Sequence, residues 1–305
     1  MRNLYTALII QHQEYLMFIL RLFSFVILVG LFLYCVLGAG PVPGWIFSGF
    51  AAVAAALVMR EALVMLEKID KKGFILVSSI FSGAVIFAMS RSNICSYADM
   101  FMILTLAIAA FCVCCWFGIL RAPDKKDYLE RFCNTAGVYT ILIIPLVFLV
   151  YIYRIDPKIL LYLVAVTKIG DTGAYCVGML SSKILPGGNH KIVPSISPKK
   201  SWEGTIGGLV CSVIMSYYVW PYTTLAETFD LAWLPIMTGV ILFIGGFCGD
   251  LTESVVKRVC GVKDSADYIP GMGGVFDFMD SMLLNSVIFV ILYFYGYNMI
   301  INIAG

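Results

Sequence analysis

The apolar residues of this chain fall in runs long enough to cross a bilayer, and the connections between them are short. Nine runs can be drawn, at about 17–37, 45–59, 74–90, 99–120, 136–153, 159–180, 204–222, 231–250 and 281–301. The hydrocarbon core is about 30 Å thick and a helix rises about 1.5 Å per residue, so a run of roughly 20 apolar residues reads as a membrane span. With 61% hydrophobic and 13% charged residues, the composition excludes an ordinary soluble domain. The expectation is an all-α polytopic integral membrane protein with about nine transmembrane helices. It forms one domain over 1–305, in which 1–158 supply scaffold helices and 159–305 carry the polar motifs. No clear small-residue cleavage site follows the 17–37 run, so it reads as a retained anchor.

Charge sets the expected orientation. The connections at 60–73, 121–135, 181–203 and 250–280 hold most of the loop lysines and arginines, while the alternate ones hold only Arg91, Arg154 and Lys158. Basic loops stay cytoplasmic. Nine spans then place the N-terminus in the cytoplasm and the C-terminus outside. The net charge of +2 says little. The ten cysteines lie mostly in apolar runs. Cys112 and Cys115 form the sole C-x-x-C spacing, and His12 and His190 lie far from it, so neither a zinc site nor a disulfide framework is expected. No internal repeat is evident, which weighs against a transporter.

One stretch contradicts the apolar pattern. Gly249 to Ser281 carries Asp250, Glu253, Lys257, Arg258, Lys263, Asp264, Asp267, Asp277 and Asp280 between two apolar runs. At roughly 2.5–3.5 kcal/mol per charge at the bilayer centre, facing lipid would cost roughly 20–30 kcal/mol. These residues must therefore meet water or line a wet cavity. Asp250, Glu253, Ser254 and Lys257 fall at i, i+3, i+4 and i+7, one helix face, and Asp277, Asp280 and Ser281 repeat the spacing. Pro270-Gly271-Met272-Gly273-Gly274 between them forms a turn. Carboxylates suit magnesium, Lys and Arg suit phosphate oxygens, and glycines admit backbone amides to an anion.

A second constellation precedes it. Lys168 and Asp171 sit at i and i+3 inside an apolar run, with Tyr175 and Gly178 along the same face. They read either as a satisfied ion pair that fixes helix packing or as part of the same wet cavity. The connection that follows holds Pro194, Ser197, Pro198, Lys199, Lys200, Ser201, Trp202, Glu203 and Gly204. Its prolines favour extended backbone. Its lysines and hydroxyls suit phosphate, and Trp202 suits the membrane interface.

These residues resemble the phosphatidate cytidylyltransferase (CDP-diacylglycerol synthase) family. The family signature runs Ser-x-x-Lys-Arg, four residues, Lys-Asp, then Pro-x-His-Gly-Gly-x-x-Asp-Arg-x-Asp. Here it reads Ser254-Val255-Val256-Lys257-Arg258, then Lys263-Asp264, then Pro270 through Asp280. Gly249-Asp250, Glu253, Asp171 with Ala174-Tyr175, and Ser197 through Gly204 also fit, so the likeness covers about 168–281. Met272 stands for the signature histidine and Phe278 for the arginine.

The resemblance implies transfer of CMP from CTP to phosphatidate, with release of pyrophosphate, in phospholipid biosynthesis. It implies magnesium, alone or with a second cation, held by Asp250, Asp277 and Asp280. Asp171, Lys199, Lys200, Lys257, Arg258 and Lys263 would complete the catalytic set. Lys168, Tyr175, Ser197, Ser201, Trp202, Glu203, Ser254, Asp264, Gly273 and Gly274 would bind substrate. The implied partners are CTP and membrane phosphatidate, with a homodimer as an option and no nucleic acid. The expected location is a bacterial inner membrane, with the site facing the cytoplasm. A related CTP-using lipid enzyme, such as a polyprenol kinase or a cytidylyltransferase for another lipid phosphate, is the alternative. A transporter fits less well.

Overall fold

Several helices begin where the sequence supplies a cap or a proline. The computed structural model describes residues 26–92, 97–229, 231–268 and 273–296. Its helices are α1 (Val26–Leu37), α2 (Pro41–Glu67), α3 (Ile75–Arg91), α4 (Tyr97–Ile119), α5 (Lys125–Ile155) and α6 (Pro157–Ile184). They are followed by α7 (Trp202–Val219), the single-turn α8 (Thr224–Thr228), α9 (Leu234–Val259) and α10 (Val275–Ile291). Asp124 caps α5 by accepting from the amides of Lys126 and Asp127. Asp156 caps α6, whose first residue is Pro157, and Ser201 caps α7. Between α6 and α7 the chain forms a hairpin of β1 (Lys191–Val193) and β2 (Ser197–Ser201), antiparallel, with Lys191 opposite Ser201 and Val193 opposite Ser197. The extended backbone expected there is present.

Nine spans are not. Among the described residues, six helices are long and apolar enough to cross a membrane: 41–67, 98–119, 125–155, 157–184, 234–259 and 275–296. The third apolar run becomes α3, whose 17 residues reach about 25 Å, short of the hydrocarbon core. The seventh becomes α7, where Gly204, Gly207, Gly208, Ser212 and Ser216 lower the hydropathy. The first run begins outside the described residues, and its described part is α1, a 10–17-residue helix. α3 and α7 turn their small residues to neighbouring helices and leave large apolar side chains such as Leu76, Ile80, Ile206 and Val210 exposed, so their apolar runs mark a lipid-facing surface without meeting the length and hydropathy of a span.

The N-terminal helices and the motif-bearing helices share one core. α5 is its axis: 67% of its most apolar window is buried, against 28% for α4. Side-chain ties gather the connections at two ends. At one end Lys71 pairs with Glu130 at 3.0 Å, and Asn134 Nδ2 donates to the Lys72 carbonyl at 3.1 Å. At that same end Arg258 Nε donates to the Ile196 carbonyl of the hairpin at 3.3 Å. At the other, Arg154 donates to the Ser92 carbonyl at 2.9 Å and Thr224 Oγ1 donates to Asp156 Oδ2 at 3.0 Å.

Two close crossings position the polar residues. α6 lies against α7 through small residues: a Cβ on Gly208 would fall 2.7 Å from the Gly170 carbonyl oxygen. α9 crosses α10 at Gly249, where a Cβ would fall 2.8 Å from the Asp280 carbonyl oxygen. Only glycine permits that approach, and it brings Asp250, the next residue, to the Asp280 turn.

Candidate functional site

α9 ends where the sequence tells it to. Lys257 and Arg258 occupy its last turn, complementing the negative end of the helix dipole. Gly261 then takes φ +69°, and the amides of Gly261 and Val262 donate to the carbonyls of Arg258 and Lys257, a Schellman closure. Asp250, Glu253, Ser254 and Lys257 thus share one helix, as the spacing suggests. Asp277 and Asp280 sit in the first two turns of α10.

Asp250, Glu253 and Asp280 converge, with one carboxylate oxygen from each within 4.8 Å of the others. Glu253 is 3% exposed. Lys257 Nζ pairs with Glu253 Oε2 at 2.6 Å, and among the described residues no other donor reaches either buried Glu253 oxygen. A buried carboxylate oxygen left without a donor, as Glu253 Oε1 is, is costly unless a cation satisfies it. Hard oxygen donors converging on one point suit a divalent cation such as magnesium.

Lysines approach this set from two further sides. Lys200, at the end of β2, places Nζ 2.9 Å from Asp250 Oδ2, donates to the Phe247 carbonyl at 3.2 Å and lies 4.0 Å from the Phe247 ring centre. Lys168, on α6, donates to Ser281 Oγ at 3.1 Å and stands 3.5 Å from Asp171 and 3.9 Å from Asp280. Ser281 Oγ donates in turn to Asp171 Oδ2 at 3.1 Å. The Lys168 ammonium also lies 5.0 Å from the centre of the Phe278 ring. The two polar constellations of the sequence are therefore one site.

Asp277 is employed differently. Its Oδ2 accepts from the amides of Ser265 at 2.9 Å and Gly274 at 2.8 Å, and its Oδ1 accepts from Lys257 Nζ at 3.0 Å. It caps α10 and does not join the three converging carboxylates. The amides of the glycine turn, read from sequence as phosphate ligands, are occupied by protein carboxylates at Gly274, Val275 and Phe276. Gly273 takes φ +85°, a conformation that favours glycine. Pro270, Gly271 and Met272 lie outside the described residues.

The remaining expected residues divide between structure and open surface. Ser201 is buried and accepts from the Gly204 amide at 3.2 Å. Glu203 accepts from His190 Nδ1 at 2.7 Å, a bond that holds its carboxyl below the usual carboxylate range. It fastens the base of the hairpin to α7. Tyr175 and Trp202 are exposed, as are Lys199, Arg258, Lys263 and Asp264, while Ser197 and Ser254 are half-buried.

Sequence reasoning missed Glu61. It lies on α2, is 1% exposed, and accepts from Ser265 Oγ at 2.6 Å, the Val275 amide at 3.0 Å and the Phe276 amide at 2.9 Å. The signal is in the sequence: the run drawn at about 45–59 stops at Arg60-Glu61, yet Ala62-Leu63-Val64-Met65-Leu66 continues it. A carboxylate inside an apolar helix asks for a partner.

The Cytidylyltransferase family model matches residues 19–296. A protein of Escherichia coli K12 named as uncharacterised, YnbB, is 35% identical over 131 residues, 43% of this chain and 41% of its own. The phosphatidate cytidylyltransferase of Mycobacterium bovis is 35% identical over 174 residues, 54% of this chain and 52% of its own. The chain thus spans about half the length of these two relatives. The phosphatidate cytidylyltransferase of Staphylococcus epidermidis is 28% identical over 245 residues, 79% of this chain and 86% of its own.

Proposed function

The chain belongs to the cytidylyltransferase family, and from that premise we propose that it transfers CMP from CTP to phosphatidate, yielding CDP-diacylglycerol and pyrophosphate. The observation that carries this reading is the convergence of Asp250, Glu253 and Asp280 with Lys200 and Lys168 at its edges. It matches a reaction between two anions. The lipid phosphate is already an oxyanion near neutral pH, so the site needs no strong general base. Its task is to bring two phosphate groups together and stabilise the charge.

Asp250, Glu253 and Asp280 would hold a divalent cation. Such an ion supplies charge neutralisation to a triphosphate and its leaving pyrophosphate. Asp277 fixes the start of α10 and steers Lys257 toward Glu253. Lys168 and Lys200 offer ammonium groups to phosphate oxygens, and Asp171 orients Lys168 through Ser281. Lys199 on the hairpin, Arg258 in the last turn of α9 and Lys263 in the 260–268 connection, all exposed, attract the nucleotide.

The residues that carry the chemistry lie toward the end of the bundle where the basic connections gather. By the positive-inside rule that end faces the cytoplasm, where CTP is found, and the membrane is a bacterial inner membrane. Phosphatidate then reaches the site from the adjoining leaflet with its acyl chains still in lipid. The N-terminal helices act as scaffold, with Glu61 reaching across to the motif-bearing half.

The test is an assay of detergent-purified protein with phosphatidate, CTP and magnesium. The expected result is magnesium-dependent CDP-diacylglycerol with equimolar pyrophosphate. CDP released from a lipid alcohol would replace this reading with a kinase, and no turnover by a folded, CTP-binding protein on phosphatidate would overturn it.

A further inference from the structure

We propose that Glu61, far from the motifs in sequence, is a positioning residue of the α9–α10 site. It holds the first turn of α10 and so sets where Asp280 meets Asp250 and Glu253. The proposal rests on reading those three carboxylates as a cation site, and not on the identity of the lipid.

A helix leaves its first amides without partners inside the helix. In α10 the N-cap is Gly274, which has no side chain to supply one. Asp277 takes the Gly274 amide. Glu61 takes the next two, Val275 with Oε1 and Phe276 with Oε2. Its negative charge also sits at the positive end of the helix dipole. Glu61 thus performs the work of an N-cap from a helix 214 residues earlier in the chain.

Two further contacts make the clamp specific. Ser265 donates its hydroxyl to Glu61 Oε2 and its amide to Asp277, so one residue joins the two carboxylates. A Cβ on Gly274 would collide with both Glu61 and Ser265, so the clamp requires glycine at that position. On the adjacent residue, the Arg60 guanidinium lies 5.6 Å from the centre of the Tyr268 ring. The last third of α2 therefore grips the 260–274 connection at two points.

The rest of α10 does not need this grip. Ser281, Met282, Leu283, Asn285, Ser286, Phe289 and Val290 are buried in the bundle, which anchors the helix below its first turn. Removing the clamp therefore loosens the start of α10 locally. Asp280 lies one turn beyond, against Gly249 of α9, and its carboxylate shifts with that turn.

The experiment compares Glu61→Gln with Glu130→Gln, a control on an exposed ion pair with Lys71. Gln keeps the size of Glu61 but turns an N–H toward one of the donors it must accept from. The readouts are Mn2+ affinity of the full-length protein in detergent and amide hydrogen exchange over 273–281. Glu61→Gln should weaken Mn2+ binding by on the order of tenfold and speed exchange in that segment by on the order of tenfold. The control should leave both unchanged. Ser265→Ala removes one donor and keeps both amide bonds; it should weaken Mn2+ binding a few-fold, and it decides the question if Glu61→Gln does not fold. A lower melting temperature with wild-type Mn2+ affinity and wild-type exchange would overturn the proposal, as would a wild-type protein that binds no Mn2+. A wild-type protein that binds Mn2+ without cytidylyltransferase activity would overturn the proposed function and leave Glu61 to be judged by these two readouts.

Discussion

Two acidic clusters lie within a turn of each other at the start of α10, and they are built in opposite ways. Glu61 and Asp277 each accept from three donors, and four of these six donors are backbone amides. Asp250, Glu253 and Asp280 face lysines and one another; Asp280 accepts from one amide, that of Ser281, and Lys257 alone reaches Glu253. A carboxylate bound to amides is already satisfied and fixes backbone. A buried carboxylate held mainly by a lysine has an oxygen left for a cation. The same residue types, three positions apart on one helix, therefore divide into structure and chemistry according to what their oxygens meet.

The sharpest way to break this distinction is substitution within the two clusters. Asp280→Asn and Asp250→Asn should each lower kcat on the order of 100-fold or more with the fold intact, measured by CTP-dependent pyrophosphate release at saturating magnesium. Near wild-type turnover in both would remove the cluster from the chemistry. Asp277→Asn should act chiefly on stability. Losing charge-assisted bonds to two amides and Lys257 should cost about 1.5–3 kcal/mol in unfolding free energy, with a smaller drop in kcat than Asp280→Asn. Equal kcat losses without destabilisation would erase the difference between the clusters.

The crossing that joins α9 to α10 offers a graded test. Gly249→Ala places a methyl 2.8 Å from the Asp280 carbonyl oxygen and should cost about 1–3 kcal/mol, with reduced magnesium affinity. A silent Gly249→Ala would mean that the close approach does not set the carboxylate geometry. The smallest effect should come from Lys263→Ala. This side chain is exposed, so its loss should raise KM for CTP only a few-fold and disappear at high salt, where screening acts over about 3 Å. A salt-independent loss of kcat would move Lys263 into the site.

Much of this was legible in the sequence, and the rest fails for identifiable reasons. Charges amid apolar runs marked Lys168, Asp171, Asp250, Glu253 and Asp280, because lipid admits no such residue without a purpose. The prolines around Ser197 announced extended backbone. The number of spans is not legible because hydropathy alone cannot separate a run that crosses from one such as α3, whose 17 residues expose an apolar face without the length to cross. The different employment of Asp277 and Asp280 was invisible, since it depends on Ser265 folding back over the start of α10. Glu61 escaped for a related reason: its donors lie 204 to 215 residues away, and no local pattern points to them.

The most direct measurement is Mn2+ binding to detergent-purified wild-type protein, Asp280→Asn and Asp277→Asn, followed by electron paramagnetic resonance. The arrangement of the two clusters predicts binding to wild type, loss in Asp280→Asn and retention in a folded Asp277→Asn. Loss in Asp277→Asn with retention in Asp280→Asn would contradict the account.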